Sequence, residues 1–277
     1  MVKTFIRWMG NKSKYVPHLQ KYFPAQYDTY IEPFLGSGAV LLHLQPSKWI
    51  VNDINKDLIN CWRSLKDSFD DIISSFKLFA SIFMPLQTNK KVALCKEITL
   101  NLPEMSHDVH RAVLYLLMRF CAYMGVIIAK NKFMFSSLDF KVYKKQNLPY
   151  FLNQHFYDKL VIISNYLNNT KGKIYNRDYK YILAKAKREH FVFLDPPYIE
   201  DHDYQHNYNI GEVIDELFFV NLKKELDKLD KKGVKWLMTQ ADHPLIKKLF
   251  HEYSIFSFPV FRTMSKTHKN ELIIKNY

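Results

Sequence analysis

The feature that most constrains the fold is an apolar run that ends abruptly in residues 191–198, Phe-Val-Phe-Leu-Asp-Pro-Pro-Tyr. Four consecutive apolar residues are typical of a strand that is covered on both faces. Two prolines cannot continue the strand, because proline lacks the amide hydrogen and has a fixed φ. We therefore expect the strand to end at Asp195. Ligands of open α/β sheets bind at the carboxyl ends of the strands, so this carboxylate is well placed for chemistry.

The Asp-Pro-Pro-Tyr sequence suits chemistry on an amino group conjugated with a planar base, such as adenine or cytosine. The lone pair of such an amine must leave the plane of the ring before the nitrogen can attack. The carboxylate of Asp195 and the carbonyl of Pro196 can each accept one N–H, which favours the tetrahedral nitrogen of the transition state. Tyr198 offers a ring that can stack on the base. The alternative is a strand-ending turn without chemistry.

A glycine turn lies near the N-terminus, in residues 29–40, Thr-Tyr-Ile-Glu-Pro-Phe-Leu-Gly-Ser-Gly-Ala-Val. This stretch predicts a strand, a turn and the start of a helix. Gly36 and Gly38 allow the backbone to turn tightly and to approach a ligand closely. The dinucleotide pattern G-x-G-x-x-G is not met, because Leu41 stands three positions after Gly38.

A second apolar run ends in an acid at residues 49–55, Trp-Ile-Val-Asn-Asp-Ile-Asn. An acid at the tip of the second strand is placed to bind the two hydroxyls of a ribose, and Asp53 is our candidate. The alternative is that Asn52 and Asp53 only cap a helix that begins near Asn55.

Residues 7–14, Arg-Trp-Met-Gly-Asn-Lys-Ser-Lys, combine an aromatic residue, a glycine and several cations ahead of the glycine turn. Together with the Pro-Phe-Leu-Gly-Ser-Gly, Asn-Asp-Ile-Asn and Asp-Pro-Pro-Tyr motifs, in that order, they resemble the Dam-like (D12 class) site-specific DNA adenine-N6 methyltransferase family. The likeness includes residues 174–179, Ile-Tyr-Asn-Arg-Asp-Tyr, and the closing residues 271–277, Glu-Leu-Ile-Ile-Lys-Asn-Tyr. It therefore extends over nearly the whole chain.

The resemblance implies a role for each matching residue. S-adenosylmethionine is the implied cofactor, with an apolar wall from Trp8 and an ammonium from Lys12 near the cofactor's carboxylate or a neighbouring acid. Asp53 is implied as the acid that holds the ribose. The implied cofactor-binding residues are Trp8, Lys12, Phe34, Gly36, Gly38, Asp53, Asp178, Tyr179 and Asp195, of which Asp178 lies by the adenine and Tyr179 replaces a usual Phe. The implied catalytic residues are Asp195, Pro196, Pro197 and Tyr198.

One segment departs from the family pattern. Family members carry an Arg-Phe-Asn-Gly-like segment followed by Phe-Asn-Val-Pro-Phe-Gly, whereas this chain has Arg-Phe-Cys-Ala-Tyr-Met-Gly at 119–125 and Lys-Phe-Met-Phe-Ser-Ser at 132–137. Arg119 and Lys132 are candidates for DNA contact. The alternatives are an arginine on a helix surface and a solvated loop lysine.

Composition and charge agree with a nucleic-acid partner. The net charge of +13 and the pI near 9.4 suit a polyanion, although an AT-rich genome alone also favours lysine. The three cysteines form no C-x-x-C pair, which argues against structural zinc and against disulfides. No signal peptide or run of about 20 apolar residues is present. We expect a soluble, intracellular protein without a metal or a membrane partner.

The predicted fold class is α/β. It comprises a doubly wound, Rossmann-like, S-adenosylmethionine-dependent methyltransferase sheet with a mostly helical inserted DNA-recognition domain. Apolar spacings of three and four predict helices over 58–83 and 109–124. The expected catalytic, cofactor-binding domain spans 1–61 and 156–277, and the helical insertion spans 62–155. The predicted strands are 30–34, 50–53, 174–176, 191–194, 235–239 and 272–275.

The function expected from these motifs is transfer of a methyl group from S-adenosylmethionine to N6 of adenine in a specific double-stranded DNA sequence. The base would flip out of the duplex into the Asp-Pro-Pro-Tyr pocket. Cytosine-N4 methylation is the enzymatic alternative, because both amines present the same two hydrogens. A catalytically silent nucleic-acid-binding relative is the alternative of another class. The oligomeric state stays open, with a monomer as one possibility.

Overall fold

A computed structural model describes residues 2–122, 125–129, 132–135, 153–199, 214–262 and 267–277. The α-helices of these residues are α1 (Val16–Gln20), α2 (Ala39–Leu44), α3 (Lys56–Asp67), α4 (Phe69–Phe83), α5 (Thr88–Asn101), α6 (Val109–Cys121), α7 (Gln154–Asn168), α8 (Tyr179–Ala184), α9 (Glu216–Lys231) and α10 (Pro244–Leu249). The strands are β1 (Thr29–Glu32), β2 (Lys48–Asn52), β3 (Ile128–Ala129), β4 (Lys132–Phe133), β5 (Lys171–Tyr175), β6 (His190–Leu194), β7 (Lys235–Ala241), β8 (Ser254–Arg262) and β9 (Thr267–Lys275).

Seven strands form one sheet in the order β5-β2-β1-β6-β7-β9-β8. β1 lies parallel to both β2 and β6, so that Ile31 is opposite Ile50 on one side and opposite Val192 on the other. β6 is also parallel to β7, whereas β9 is antiparallel to both β7 and β8. The strand order reverses between β1 and β6, which is the switch point of a doubly wound sheet. The predicted α/β fold class is confirmed.

The chain clusters into two compact units. The first comprises Met1–Val16, Gly36–Gln45 and Asn55–Ile174, and the second comprises Pro17–Leu35, Pro46–Ile54 and Tyr175–Tyr277. The predicted insertion at 62–155 falls inside the last segment of the first unit. The assignment of catalytic and recognition domains stays a prediction.

The core of the second unit explains why β6 and β7 are so apolar. Val192 and Leu194 of β6 and Trp236 and Met238 of β7 are fully buried in one hydrophobic cluster. Helices α8, α9 and α10 contribute apolar residues to the same cluster. The alternate residues of β6 are also buried, and Phe23 packs against Phe191 and Phe193. Burial of both alternating sets of side chains is the pattern of an internal strand of an α/β sheet.

Helices dominate the first unit. The side chain of Asn55 caps α3 by accepting a hydrogen bond from the Leu58 amide. The predicted helix over 58–83 is divided, because α3 ends at Asp67 and α4 begins at Phe69. The predicted helix over 109–124 ends at Cys121, and residues 123 and 124 lie outside the described part of the chain.

Two pairs of strands depart from the expected pattern. β3 and β4 form a short antiparallel pair within the segment predicted as mostly helical. The sequence patterns do not predict β8, which pairs with β9 along its whole length. Pro259 lies within β8, which is tolerated because β8 is the outer strand of the sheet. None of the helices in the described ranges has the length and apolar character required to span a membrane.

Candidate active site

The carboxylate of Asp195 lies directly after β6, as the sequence predicts. The hydroxyl of Thr239 donates a hydrogen bond to Oδ1 of Asp195 at 2.7 Å. Thr239 is 0% exposed and belongs to β7, the parallel neighbour of β6. The bond therefore comes from a rigid element and limits the rotation of the carboxylate.

The rest of the Asp-Pro-Pro-Tyr segment is also held by β7 and β9. The amide of Gln240 donates to the carbonyl of Pro197 at 3.4 Å. The hydroxyl of Tyr198 donates to Oε2 of Glu271 at 2.8 Å, and Glu271 is only 5% exposed. Glu271 pairs with Ala241 across the two strands. Buried partners thus fix the backbone at Pro197 and the ring of Tyr198.

Sequence reasoning missed the supporting roles of Thr239, Gln240 and Glu271. A signal was present for the first two, because the carboxyl ends of neighbouring parallel strands meet at one edge of a sheet. The sequence around Glu271 does not predict its contact with Tyr198. Its approach depends on β9 being antiparallel to β7, which a single strand pattern does not reveal.

Asp53 follows β2 and is partly exposed. The cap of α3 is Asn55, so the alternative in which Asn52 and Asp53 cap this helix is wrong. Asn52 instead has a structural role. Its buried side chain donates to the carbonyls of Pro33 and Arg177 and accepts from the amide of Arg177. The loops that follow β1, β2 and β5 are therefore connected.

Two aromatic rings from the segments that follow β1 and β5 pack against each other. The rings of Phe34, after β1, and Tyr179, at the start of α8, lie 5.4 Å apart between centroids. Tyr179 is buried, and Phe34 is partly exposed. Asp178 caps α8, because its Oδ1 accepts the amide of Lys180 at 2.7 Å. Its predicted place beside the cofactor's adenine stays a prediction.

The first compact unit holds the remaining predicted cofactor residues. Gly36 and Gly38 have φ of +50° and +64°, in the left-handed region that favours glycine. A Cβ on Gly36 would lie 3.0 Å from Cδ1 and Nε1 of Trp8, so the indole packs directly on this backbone. Lys12 is buried, and its ammonium donates to the carbonyl of Gly10 at 3.2 Å.

The two candidates for DNA contact, Lys132 and Arg119, differ in their exposure to solvent. Lys132 is exposed on β4, opposite Ala129 of β3. Arg119 is 5% exposed, so the alternative of an arginine on the surface of a helix is wrong. Its guanidinium is bonded inside the first unit, to Tyr115 and to the carbonyl of Gly125. Contact with DNA stays a prediction for both residues.

In the part of the chain that the structure describes, no three or more His, Cys, Asp or Glu side chains are grouped so that they could hold a metal ion.

Comparison with known proteins gives one family and several relatives, of which two match over the full length of this chain. The sequence profile of the family described as D12 class N6 adenine-specific DNA methyltransferase matches residues 8–264. The Type II methyltransferase M1.LlaDCHI of Lactococcus lactis subsp. cremoris is 30% identical over 298 residues, which cover 100% of this chain and 96% of the relative. The Type II methyltransferase M.MjaIII of Methanocaldococcus jannaschii is 26% identical, and the match covers 100% of this chain and 99% of the relative. A DNA adenine methylase of Serratia marcescens is 30% identical over 71% of this chain and 67% of its own length.

Proposed function

Because the chain belongs to the family of D12 class N6 adenine-specific DNA methyltransferases, we propose that it methylates N6 of adenine in a specific double-stranded DNA sequence, with S-adenosylmethionine as the donor. The observation that carries this proposal is that buried side chains hold the Asp-Pro-Pro-Tyr segment by hydrogen bonds. Thr239 orients Asp195, and Glu271 orients Tyr198. A strand-ending turn without chemistry would not require two buried polar partners.

The proposed chemistry depends on two acceptors after β6. Asp195 accepts one N–H of the adenine amine, and the carbonyl of Pro196 accepts the other. Both acceptors bind the positively charged, tetrahedral nitrogen more strongly than the planar amine, so they lower the barrier to attack. Thr239 supports this role because it holds Oδ1 of Asp195 from a buried position.

The residues of the chain fit S-adenosylmethionine. When bound, this cofactor supplies an electrophilic methyl group on its sulfonium. Asp53 is a partly exposed carboxylate at a strand end, which suits the two hydroxyls of a ribose. Phe34 and Tyr179 provide apolar ring surface. The backbone at Gly36 has no room for a side chain on the face that Trp8 covers.

The target base must leave the duplex to reach Asp195, at a cost of a few kcal/mol. The ring of Tyr198 offsets part of this cost by stacking on the flipped base. Its hydroxyl is already bonded to Glu271, so the ring is oriented before the base arrives. Less side-chain entropy is then lost on binding.

We assign DNA recognition to the predicted insertion at 62–155, with the exposed Lys132 as its candidate contact. The relatives that match the full chain are named Type II methyltransferases, which supports a site-specific activity. A positive net charge of +13 favours the approach of a polyanion.

The test is to express the protein in cells that lack DNA methylation and to sequence their DNA with a method that detects modified bases. We expect N6-methyladenine at one position of one recurring sequence. Methylation confined to cytosine N4 would support the enzymatic alternative, and unmodified DNA from cells that contain folded protein would contradict the proposal.

A further inference from the structure

The guanidinium of Arg119 is held on several sides within the first compact unit. Its Cζ lies 4.1 Å from the ring centroid of Trp8 and 5.1 Å from that of Tyr115. Its Nε and Nη2 atoms donate to the hydroxyl of Tyr115 at 3.1 and 2.7 Å, and Nη1 donates to the carbonyl of Gly125 at 3.0 Å. The orientation of the planar group is therefore fixed.

Trp8 has a second close neighbour in Gly36. A Cβ at this glycine would lie only 3.0 Å from the indole, as described above, so the backbone and the ring are in close contact. The indole is 9% exposed. The same ring therefore touches the glycine turn and the guanidinium of Arg119, and a shift of either neighbour moves it.

The residues around this contact hold the N-terminal segment against the end of α6. Nη1 of Arg7 donates to the carbonyl of Phe120 at 3.0 Å. Gly125 has a φ of +79°, and a Cβ there would lie 2.8 Å from Cβ of Arg7. Arg119 binds the carbonyl of the same Gly125. Arg119 thus links its own helix, α6, to the residues before β3 and to Trp8.

We infer that Arg119 is a positioning residue for S-adenosylmethionine, acting through Trp8 rather than through DNA. This inference rests on the proposed function, in which Trp8 forms a wall of the cofactor site. A planar guanidinium stacks on an aromatic face and keeps its hydrogen bonds in a fixed fork, whereas the ammonium of a lysine is a compact charge that has neither the planar surface nor the fork. Charge alone therefore does not replace Arg119.

The main experiment measures the affinity for S-adenosylmethionine by calorimetry in the wild type, Arg119→Lys, Trp8→Ala and the double variant. We expect Arg119→Lys to weaken cofactor binding about tenfold in the wild-type background. In the Trp8→Ala background the same change should have no further effect, because the residue through which Arg119 acts is absent. In Arg119→Lys, the loss should appear in the KM for S-adenosylmethionine rather than in kcat, and the affinity for DNA should stay within about twofold of the wild-type value.

Arg111→Lys is the matched control. Arg111 is also a buried arginine of α6, but its Nε donates to Asp57 at 2.6 Å. We expect Arg111→Lys to lower thermal stability and to leave cofactor affinity unchanged. Tyr115→Phe removes only the hydroxyl that accepts from Arg119, and should weaken cofactor binding less than Arg119→Lys does.

Each other outcome overturns the inference in a distinct way. Equal losses of cofactor affinity in both backgrounds, or an equal loss in Arg111→Lys, would mean that Arg119 stabilises the fold without acting through Trp8. Weaker DNA binding with unchanged cofactor binding would make Arg119 a DNA contact. If wild-type protein failed to bind S-adenosylmethionine, the proposed function would fail as well, whereas normal wild-type binding with no effect of Arg119→Lys would refute this inference alone.

Discussion

At the scale of single residues, Asp195 is the side chain on which the proposed chemistry depends. We expect Asp195→Ala to abolish methyl transfer, because the amine loses its charged acceptor. Asp195→Asn should also be severely impaired, since its amide keeps one acceptor oxygen but loses the charge. Cofactor affinity should stay within about tenfold in both variants. Transfer rates and calorimetry test this prediction, and turnover near the wild-type rate would rule out the assignment.

Thr239→Val removes one hydroxyl while it keeps the shape of the side chain. The hydroxyl donates to Asp195 at 2.7 Å from a fully buried position, so its loss leaves the carboxylate less restrained. A hydrogen bond to a charged group contributes roughly 1.5–3 kcal/mol, which corresponds to a decrease in kcat of about tenfold to a hundredfold. Steady-state kinetics at saturating DNA and cofactor measure this decrease.

Thr99→Val is the control for Thr239→Val. The hydroxyl of Thr99 donates to the carbonyl of Cys95, one turn earlier in α5. Its removal should leave kcat unchanged. Equal decreases in the two variants would show that the hydroxyl of Thr239 has no special effect on Asp195.

At the scale of elements, the start of α6 depends on one carboxylate. Oδ1 of Asp108 accepts the amide of Arg111 at 2.9 Å, and this bond is the main reason that the pKa of Asp108 is lowered. Because the pKa of Asp108 is lower in the folded state, the ionised carboxylate stabilises the protein at every pH above the pKa that this group has in the unfolded chain. This contribution is lost as the pH falls through the folded value.

We therefore expect Asp108→Ala to lower the free energy of unfolding by about 1 kcal/mol at pH 7. The difference from wild type should begin to shrink below about pH 4, where the carboxyl of the unfolded chain becomes protonated, and should shrink further as the pH falls through the lower pKa of the folded state. Asp108→Asn keeps an acceptor and serves as the control, with a smaller loss at pH 7. Urea unfolding at pH 7 and pH 3 provides the measurement. A difference between wild type and Asp108→Ala that did not depend on pH would contradict the role of the charge.

The elements also show how far the sequence predicts the structure. β6 was predicted because an apolar run meets two prolines, and both signals are local. The sequence does not predict β8 because Pro259 interrupts the strand pattern, and this proline is tolerated because β8 is the outer strand of the sheet. Asp195 was found from the same local signals as β6. Its partner Thr239 became visible only once β6 and β7 were known to be neighbours.

Arg119 illustrates the same limit over a longer range. The spacing of apolar residues predicts its helix, but it does not identify a partner 111 positions earlier in the chain. The family resemblance placed Arg119 near DNA by analogy with a segment that has diverged in this chain. Its burial against Trp8 depends on tertiary packing.

At the scale of the whole molecule, a net charge of +13 predicts DNA binding that weakens as salt increases. If the ammonium of Lys132 neutralises a phosphate, Lys132→Ala should lower DNA affinity evenly across sequences. The slope of log binding constant against log salt concentration should then become shallower by about one. A selective loss of about 1–3 kcal/mol at one base pair would instead indicate base readout.

Binding titrations at several salt concentrations distinguish these two results for Lys132→Ala. Lys228→Ala is the control, because Lys228 is exposed on α9 and forms an ion pair with Glu225. If Lys132→Ala and Lys228→Ala both leave affinity, salt dependence and sequence choice unchanged, recognition does not involve Lys132.

The most direct test of the central claim identifies the methylated atom. Purified protein is incubated with double-stranded DNA and S-adenosylmethionine that carries an isotopic label in its methyl group, and the DNA is then digested to nucleosides and analysed by mass spectrometry. We predict that the label appears in N6-methyldeoxyadenosine and is absent when Asp195→Ala is used. Label in N4-methyldeoxycytidine alone, or labelled adenine from the Asp195→Ala variant, would contradict the account.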